Sequence, residues 1–150
     1  MNTRVGIAVD DMGGELARRC IEAATRGLGD SGGDFVVFSE STPLCAFTKS
    51  LVPRFPLSDC WGYSGLLVTT SLKTLELCGG FPRTGPSLHY AWEPDWGGAD
   101  FFKTLGMLRA GGIVVRSASH ADILESTFAV VPVGTTYFPD FEYFAKLLED

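Results

Sequence analysis

Short, unbroken apolar runs recur along this chain, and each breaks into a polar cluster before helix-like sequence resumes. Four breaks stand out: Asp10-Asp11-Met12-Gly13-Gly14 after Val5–Val9, Thr69-Thr70-Ser71 after Leu66–Val68, Trp92-Glu93-Pro94-Asp95-Trp96 after Ser87–Ala91, and Arg116-Ser117-Ala118-Ser119-His120 after Ile113–Val115. An apolar run without polar alternation is the pattern of a strand covered on both faces, as in parallel sheets with helical crossovers. Parallel strands all point one way, so the clusters are expected on one rim, where open α/β sheets hold their ligands.

The segments between the runs carry the helical period. Leu16, Cys20, Ala23, Ala24, Gly27 and Leu28 share one helix face, and Gly29-Asp30-Ser31-Gly32-Gly33 ends it before a strand at Phe35–Phe38. Ser39 to Gly62 holds Pro43, Pro53 and Pro56, which forbid a long helix there. Leu72, Leu75 and Leu77 predict a short helix stopped by Gly79-Gly80, and a strand follows around Leu88–Trp92. Phe101, Leu105 and Leu108 predict a helix capped by Asp100 and ended by Gly111-Gly112. His120, Leu124, Thr127 and Phe128 space out a further helix, Ala129–Val133 a sixth strand, and Phe141, Phe144, Ala145 and Leu148 a closing helix. Strands alternating with helices predict one Rossmann-like α/β domain over residues 1–150, its sheet doubly wound, mainly parallel and of about six strands.

Composition narrows the function. The chain has 150 residues, 45% hydrophobic and 20% charged, with 11 Phe, which suits a single ordinary globule. Its net charge of -6 and the lack of any Lys/Arg run beyond Arg18-Arg19 give no support to nucleic-acid binding, which needs a clustered basic face. Cys20, Cys45, Cys60 and Cys78 form no C-x-x-C pair, so they are expected as buried or half-buried thiols, not a zinc or redox site. Met1 to Arg4 runs directly into a strand, and no apolar stretch is long enough to span a membrane. A cytoplasmic protein without a membrane partner is the expectation.

Each cluster has a chemical and a structural reading. Gly13 and Gly14 could let backbone N–H groups approach a phosphate, or simply permit a turn; neither G-x-G-x-x-G nor the Walker pattern is present. Asp10-Asp11 reads as turn residues or as acceptors for a ligand hydroxyl, and a metal is not expected. Thr70 and Ser71 offer hydroxyls at a helix start, as a phosphate cradle or a cap. Capping explains one hydroxyl of Thr69-Thr70-Ser71, not three, and Lys73 in the first helical turn is disfavoured by the dipole unless an anion neutralises it. Trp92, Glu93, Asp95 and Trp96 suit sugar or base recognition, with Glu93 as a candidate general base, or else form a rim loop over the core.

Arg116-Ser117-Ala118-Ser119-His120 is the sharpest of the four. Arg116 fits a phosphate clamp, because guanidinium donates two parallel bonds to one anion; Ser117 and Ser119 add donors, and His120 can bond or protonate a phosphate oxygen. Against this, Ser119 to Asp122 matches a capping box, and Arg116 can pair with Glu93 or Asp95 instead. His89, inside a strand, reads as a core or surface histidine.

Leu66–Thr74 (LLVTTSLKT), Tyr90–Trp96 (YAWEPDW) and Val115–Leu124 (VRSASHADIL) together resemble small glycosyltransferase-like proteins found mainly in bacterial viruses, including those of cyanobacteria. The layout of Phe128–Asp150 is also similar, and the likeness covers roughly residues 60 to 150. It implies a Rossmann-like unit akin to half of a GT-B glycosyltransferase, without a cofactor, in the host cytoplasm if viral. The nucleotide-sugar diphosphate would sit near Arg116, Ser117 and His120, with Thr70, Ser71 and Glu93 close by. Size is the departure: a complete GT-B enzyme closes two such domains over its substrates, and this chain has one. Either two copies associate as a homodimer to build the cleft, or the chain is a non-catalytic module that binds a nucleotide or a protein partner. Trp61, Trp92, Trp96 and the Phe-rich tail are the surface expected for such a partner.

Overall fold

The alternating runs fold into β1 (Arg4–Val9), β2 (Asp34–Ser39), β3 (Arg54–Pro56), β4 (Leu66–Thr69), β5 (Ser87–Ala91), β6 (Gly112–Val115) and β7 (Gly134–Thr135). The structure, a computed structural model, describes residues 4–10, 14–30, 34–40, 52–79, 85–93, 96–97 and 100–149. Among these residues the strands form one sheet in the order β3-β2-β1-β4-β5-β6-β7, and every pair is parallel. Ile7 of β1 pairs with Val37 on one side and Val68 on the other. The chain moves outward from β1 through β2 to β3, then returns to β4 beside β1 and proceeds the other way. The strand order therefore reverses between β1 and β4, and that is where the crossovers change face.

The helices obey that reversal. α1 (Glu15–Asp30) and α5 (Phe141–Glu149) cover one face, where Ala17, Cys20, Ile21, Ala24, Phe141 and Phe144 pack on Val5, Ile7, Val9, Val37, Val68, Tyr90 and Val114. α2 (Leu72–Gly79), α3 (Phe101–Arg109), α4 (Ala118–Phe128) and a 3-10 helix at Leu57–Gly62 cover the other. There Leu75, Leu108, Leu124 and Phe128 meet Ala91, Ile113 and Val115, while Leu57, Cys60 and Cys78 meet Ala8, Val36, Phe38 and Leu67. Neighbouring residues of one strand thus serve opposite faces, which is why the runs lack polar alternation. α1 approaches β2 closely at Gly27, where an added Cβ would fall against the Phe35 ring. A larger residue there requires the ring or the helix to shift.

The expected Rossmann-like α/β class holds, with three differences in detail. Among the described residues there are seven strands instead of about six, because Arg54–Pro56, which follows Pro53 and ends in Pro56, pairs with β2: Val37 N donates to Pro53 O, so Pro53 contributes the acceptor it retains and lacks only the donor. The sixth strand expected at Ala129–Val133 lies instead at Gly134–Thr135. Ala129 takes a left-handed φ of 54° to cap α4, so the chain leaves the helix through a turn before it reaches the sheet. The tryptophans do not share one exposed surface: Trp96 is 5% exposed and packs against Phe128, Trp92 is half-buried, and Trp61 is 63% exposed. Phe141 and Phe144 of the tail are likewise core residues.

Cys20, Cys60 and Cys78 are buried thiols, as expected; Cys45 lies outside the described residues. Burial pushes the Cys20 thiol well above its ordinary range, which keeps it protonated. Among the described residues no helix is long and apolar enough to cross a membrane.

Candidate functional site

The carboxyl ends of β1 and β4 border an open cleft of about 290 Å³, lined by Val9, Asp10, Gly14, Glu15, Leu16, Thr70, Ser71, Trp92 and Glu93. It lies at the reversal in strand order, where backbone crossovers diverge to opposite faces and leave a crevice. Among the described residues three of its lining side chains are carboxylates and none is a cation. Its apolar wall is the indole of Trp92 with Leu16 and Val9. Gly14, Thr70, Ser71 and Glu93 therefore come together as expected, while Gly13 and Asp95 lie outside the described residues.

Every hydroxyl of Thr69-Thr70-Ser71 has a partner within the protein. Thr69 Oγ1 sits 2.9 Å from His89 Nδ1, and Thr70 Oγ1 donates to Ala8 O at 2.7 Å, tying β4 to β1. Ser71 Oγ donates to Asp10 Oδ1 at 2.8 Å and accepts from Thr74 N at 3.1 Å. Thr74 Oγ1 in turn accepts from the N–H groups of Thr70 and Ser71, each at 3.0 Å. This is a reciprocal capping box with Thr in the place of the usual Glu. The expectation that capping leaves two hydroxyls spare does not hold, because strand-to-strand and cross-cleft bonds take the others.

Lys73 also finds its anion inside the protein: Nζ lies 2.7 Å from Glu40 Oε2. Glu40 beside it holds the exposed Lys73 ammonium above its usual range, so the first-turn cation calls for no phosphate. Glu40 itself follows directly on β2, the position from which an acidic side chain of a Rossmann-like sheet reaches a ribose hydroxyl. By sequence it belongs to the Pro-containing segment from Ser39 to Gly62, and its one readable signal is an acidic residue directly after the run Phe35–Phe38 and Ser39.

Arg116, Ser117, Ser119 and His120 form a second group at the end of β6, outside the lining of the cleft. β1 and β6 stand three strands apart, about 14 Å at the spacing of paired strands. Arg116 is half-buried between two rings, 3.8 Å from the centroid of Trp92 and 4.2 Å from that of Tyr137. Its Nε donates to Tyr137 O at 2.9 Å and Nη1 to Trp92 O at 3.4 Å. The Tyr90 hydroxyl completes the clasp by donating to Thr136 O at 3.1 Å and Tyr137 O at 3.0 Å, and burial raises its pKa. Among the described residues no carboxylate pairs with Arg116. Its partners are rings and carbonyls, a role for Tyr137 that no local motif announced.

Ser117, not Ser119, caps α4: its Oγ accepts from His120 N at 3.4 Å, so the cap lies two residues before the one expected at Ser119. The reason is that the helix starts earlier, at Ala118, which puts Ser119 inside the first turn with its Oγ 2.9 Å from Ser117 Oγ. His120 Nδ1 is buried and has no hydrogen-bond partner among the described residues. Among these residues no three His, Cys, Asp or Glu side chains are placed to hold one metal ion.

The two groups meet at Trp92, which lines the cleft and carries Arg116 on its ring. The rim is thus acceptor-rich at β1 and β4 and cationic at β6. No protein-family model matches the chain, and comparison with the curated proteins finds no significant match.

Proposed function

We propose that this protein is a glycosyltransferase-like module that binds a nucleotide-sugar, or a related hydroxyl-rich phosphorylated ligand, along the carboxyl ends of its strands. The observation that carries the reading is the cleft between β1 and β4, where Asp10, Glu15 and Glu93 surround an indole wall. Carboxylates accept hydrogen bonds from sugar or ribose hydroxyls and repel phosphate, so the hydroxylated end of the ligand belongs there. Trp92 offers the ring face on which a sugar or base stacks. The phosphates then lie toward β6, where the half-buried Arg116 guanidinium, held over the Trp92 ring, supplies the positive charge. A nucleotide-sugar is long enough to join the two groups, and a lone phosphate is not.

If transfer follows binding, an acceptor hydroxyl attacks the anomeric carbon, its proton passes to Glu93, and the nucleoside diphosphate departs with the bonding pair, protonated or held by His120. Glu93 is exposed, and this favours a second reading in which the chain binds without turnover, since water weakens each electrostatic contribution at an open rim. Calorimetric titration with nucleosides, nucleoside diphosphates and their sugar conjugates tests the site. The conjugate is expected to bind, and Asp10→Asn to weaken it by about tenfold. Absence of binding across the panel, or an affinity indifferent to Asp10→Asn, overturns the reading; hydrolysis or transfer of the bound sugar separates enzyme from binder.

A further inference from the structure

A second open cavity, of about 330 Å³, lies beside β1 and β2 on the face covered by the 3-10 helix, and it reaches the amino ends of both strands at Arg4 and Asp34. Four aromatic side chains line it: Phe38 of β2, Phe55 of β3, Trp61 of the 3-10 helix and Tyr63 just after that helix. Phe38 is buried, and Tyr63 meets it at 72° with 5.2 Å between ring centroids, which forms a corner and not a flat wall. Phe55 lies 6.1 Å from Phe38 on the other pairing. Phe55 is 42% exposed and Trp61 63%, so two of the four rings are open to solvent. The charged lining is Arg4, Asp34 and Asp59. Arg4 Nε donates to Asp34 Oδ2 at 2.6 Å, and these two charges cancel. Asp59 is exposed and has no ion pair or hydrogen bond among the described residues, so one uncompensated carboxylate remains. Three aromatic rings elsewhere carry a guanidinium of the chain, whereas among the described residues no cation of the chain lies over Phe55 or Trp61.

We propose that this cavity is a binding site for a small soluble molecule carrying an alkylated ammonium group, of the kind found in choline. Aromatic rings attract a cation through their quadrupole, and clustered rings are the usual receptor for quaternary ammonium groups. The free carboxylate of Asp59 adds the matching charge and repels anions. A primary ammonium brings three N–H donors that need acceptors, and rings supply none. A metal ion needs several oxygen ligands, and one unpaired carboxylate is too few. A trimethylated nitrogen has no N–H to satisfy, and its methyl groups bury apolar surface against the rings while the charge stays near Asp59. The cavity volume falls within the range of small-molecule sites. None of its lining residues belongs to the cleft at the carboxyl ends of β1 and β4, so the inference is independent of the nucleotide-sugar reading.

Choline and dimethylbutanol share one shape, with the nitrogen of the first replaced by carbon in the second, so they isolate the charge. In titrations of the full chain at constant ionic strength, followed by the indole N–H resonances, choline is expected to shift the Trp61 signal and to bind at least about fivefold more tightly than dimethylbutanol. Trp61→Ala, which removes an exposed ring, is expected to weaken choline by at least about fivefold, and Asp59→Asn to narrow the gap between the two compounds. Equal affinities in the native chain, binding of neither compound up to tens of millimolar, or a shift confined to Trp92 or Trp96 would each overturn the proposal. The readouts on the native chain stand whether or not either variant folds.

Discussion

Ser71 Oγ donates to Asp10 Oδ1 at 2.8 Å, so the two strands on either side of the switch point are linked at the mouth of the cleft they form. The bond holds one Asp10 oxygen toward the start of α2. The same Ser71 oxygen caps α2, which ties the start of that helix to the carboxylate of β1. Site geometry and helix initiation are therefore one hydrogen-bonded unit.

Removing that oxygen is expected to show in both. Ser71→Ala takes away the cap acceptor and the Asp10 donor together, and the expected loss is about 1–2 kcal/mol of stability. Urea unfolding of Ser71→Ala, Thr74→Val and the double variant measures it. The two single losses should not add, because each residue caps through the other. Strict additivity would mean that the reciprocal cap contributes nothing as a unit.

Arg116 is expected to be a stability residue as well as a ligand contact. Arg116→Ala removes donors from two carbonyls and a cation from between two rings, with an expected cost of about 1–3 kcal/mol. Arg116→Lys should recover only part of it, since an ammonium has no planar fork to stack and donate at once. Denaturant midpoints of the two variants decide this. A loss of nucleotide binding in Arg116→Ala is informative only beside that stability measurement.

The fold was legible where local pattern and tertiary packing agree. Val5–Val9, Phe35–Phe38 and Ile113–Val115 are buried on both faces, so their sequences carry the strand signal undiluted. Arg54–Pro56 was hidden because an edge strand between prolines has no such pattern, and Gly134–Thr135 because two residues carry none. At the candidate site the residue types were readable and their partners were not. The position of Lys73 in a first helical turn points to an anion and favours a bound phosphate, whereas the anion beside it is Glu40, 33 residues away. The Arg116 motif points to a phosphate clamp or to a pair with Glu93 or Asp95, and within the fold its partners are the carbonyls and rings of Trp92 and Tyr137.

Gly27→Ala should reverse the sign that helix propensity assigns to it. Alanine in an exposed helix interior is favoured over glycine by about 1 kcal/mol. Here the added methyl meets Phe35, whose ring is buried and packed 4.9 Å from that of Phe141. Overpacking of this kind costs about 1–3 kcal/mol, and a lower melting temperature for Gly27→Ala is the expected result. A variant as stable as the native chain would show that Phe35 and α1 can move apart freely.

His89 makes stability depend on pH in a defined direction. Its pKa is about 4 in the folded chain against about 6.5 when unfolded, because burial disfavours the imidazolium. Between those values the unfolded state binds a proton that the folded state refuses, so stability falls as pH falls. The contribution is fully present above about pH 6.5 and lost progressively down to about pH 4, amounting to about 3 kcal/mol. Carboxylates titrate near the lower end of that window, so the measurement is a difference: urea midpoints of the native chain and of His89→Gln, which keeps a polar side chain but does not titrate, at intervals from pH 7 to pH 4. The native midpoint should drop more steeply between pH 6.5 and pH 5, where the carboxylates change least. Parallel curves through that interval would mean that His89 is protonated as easily in the fold as outside it.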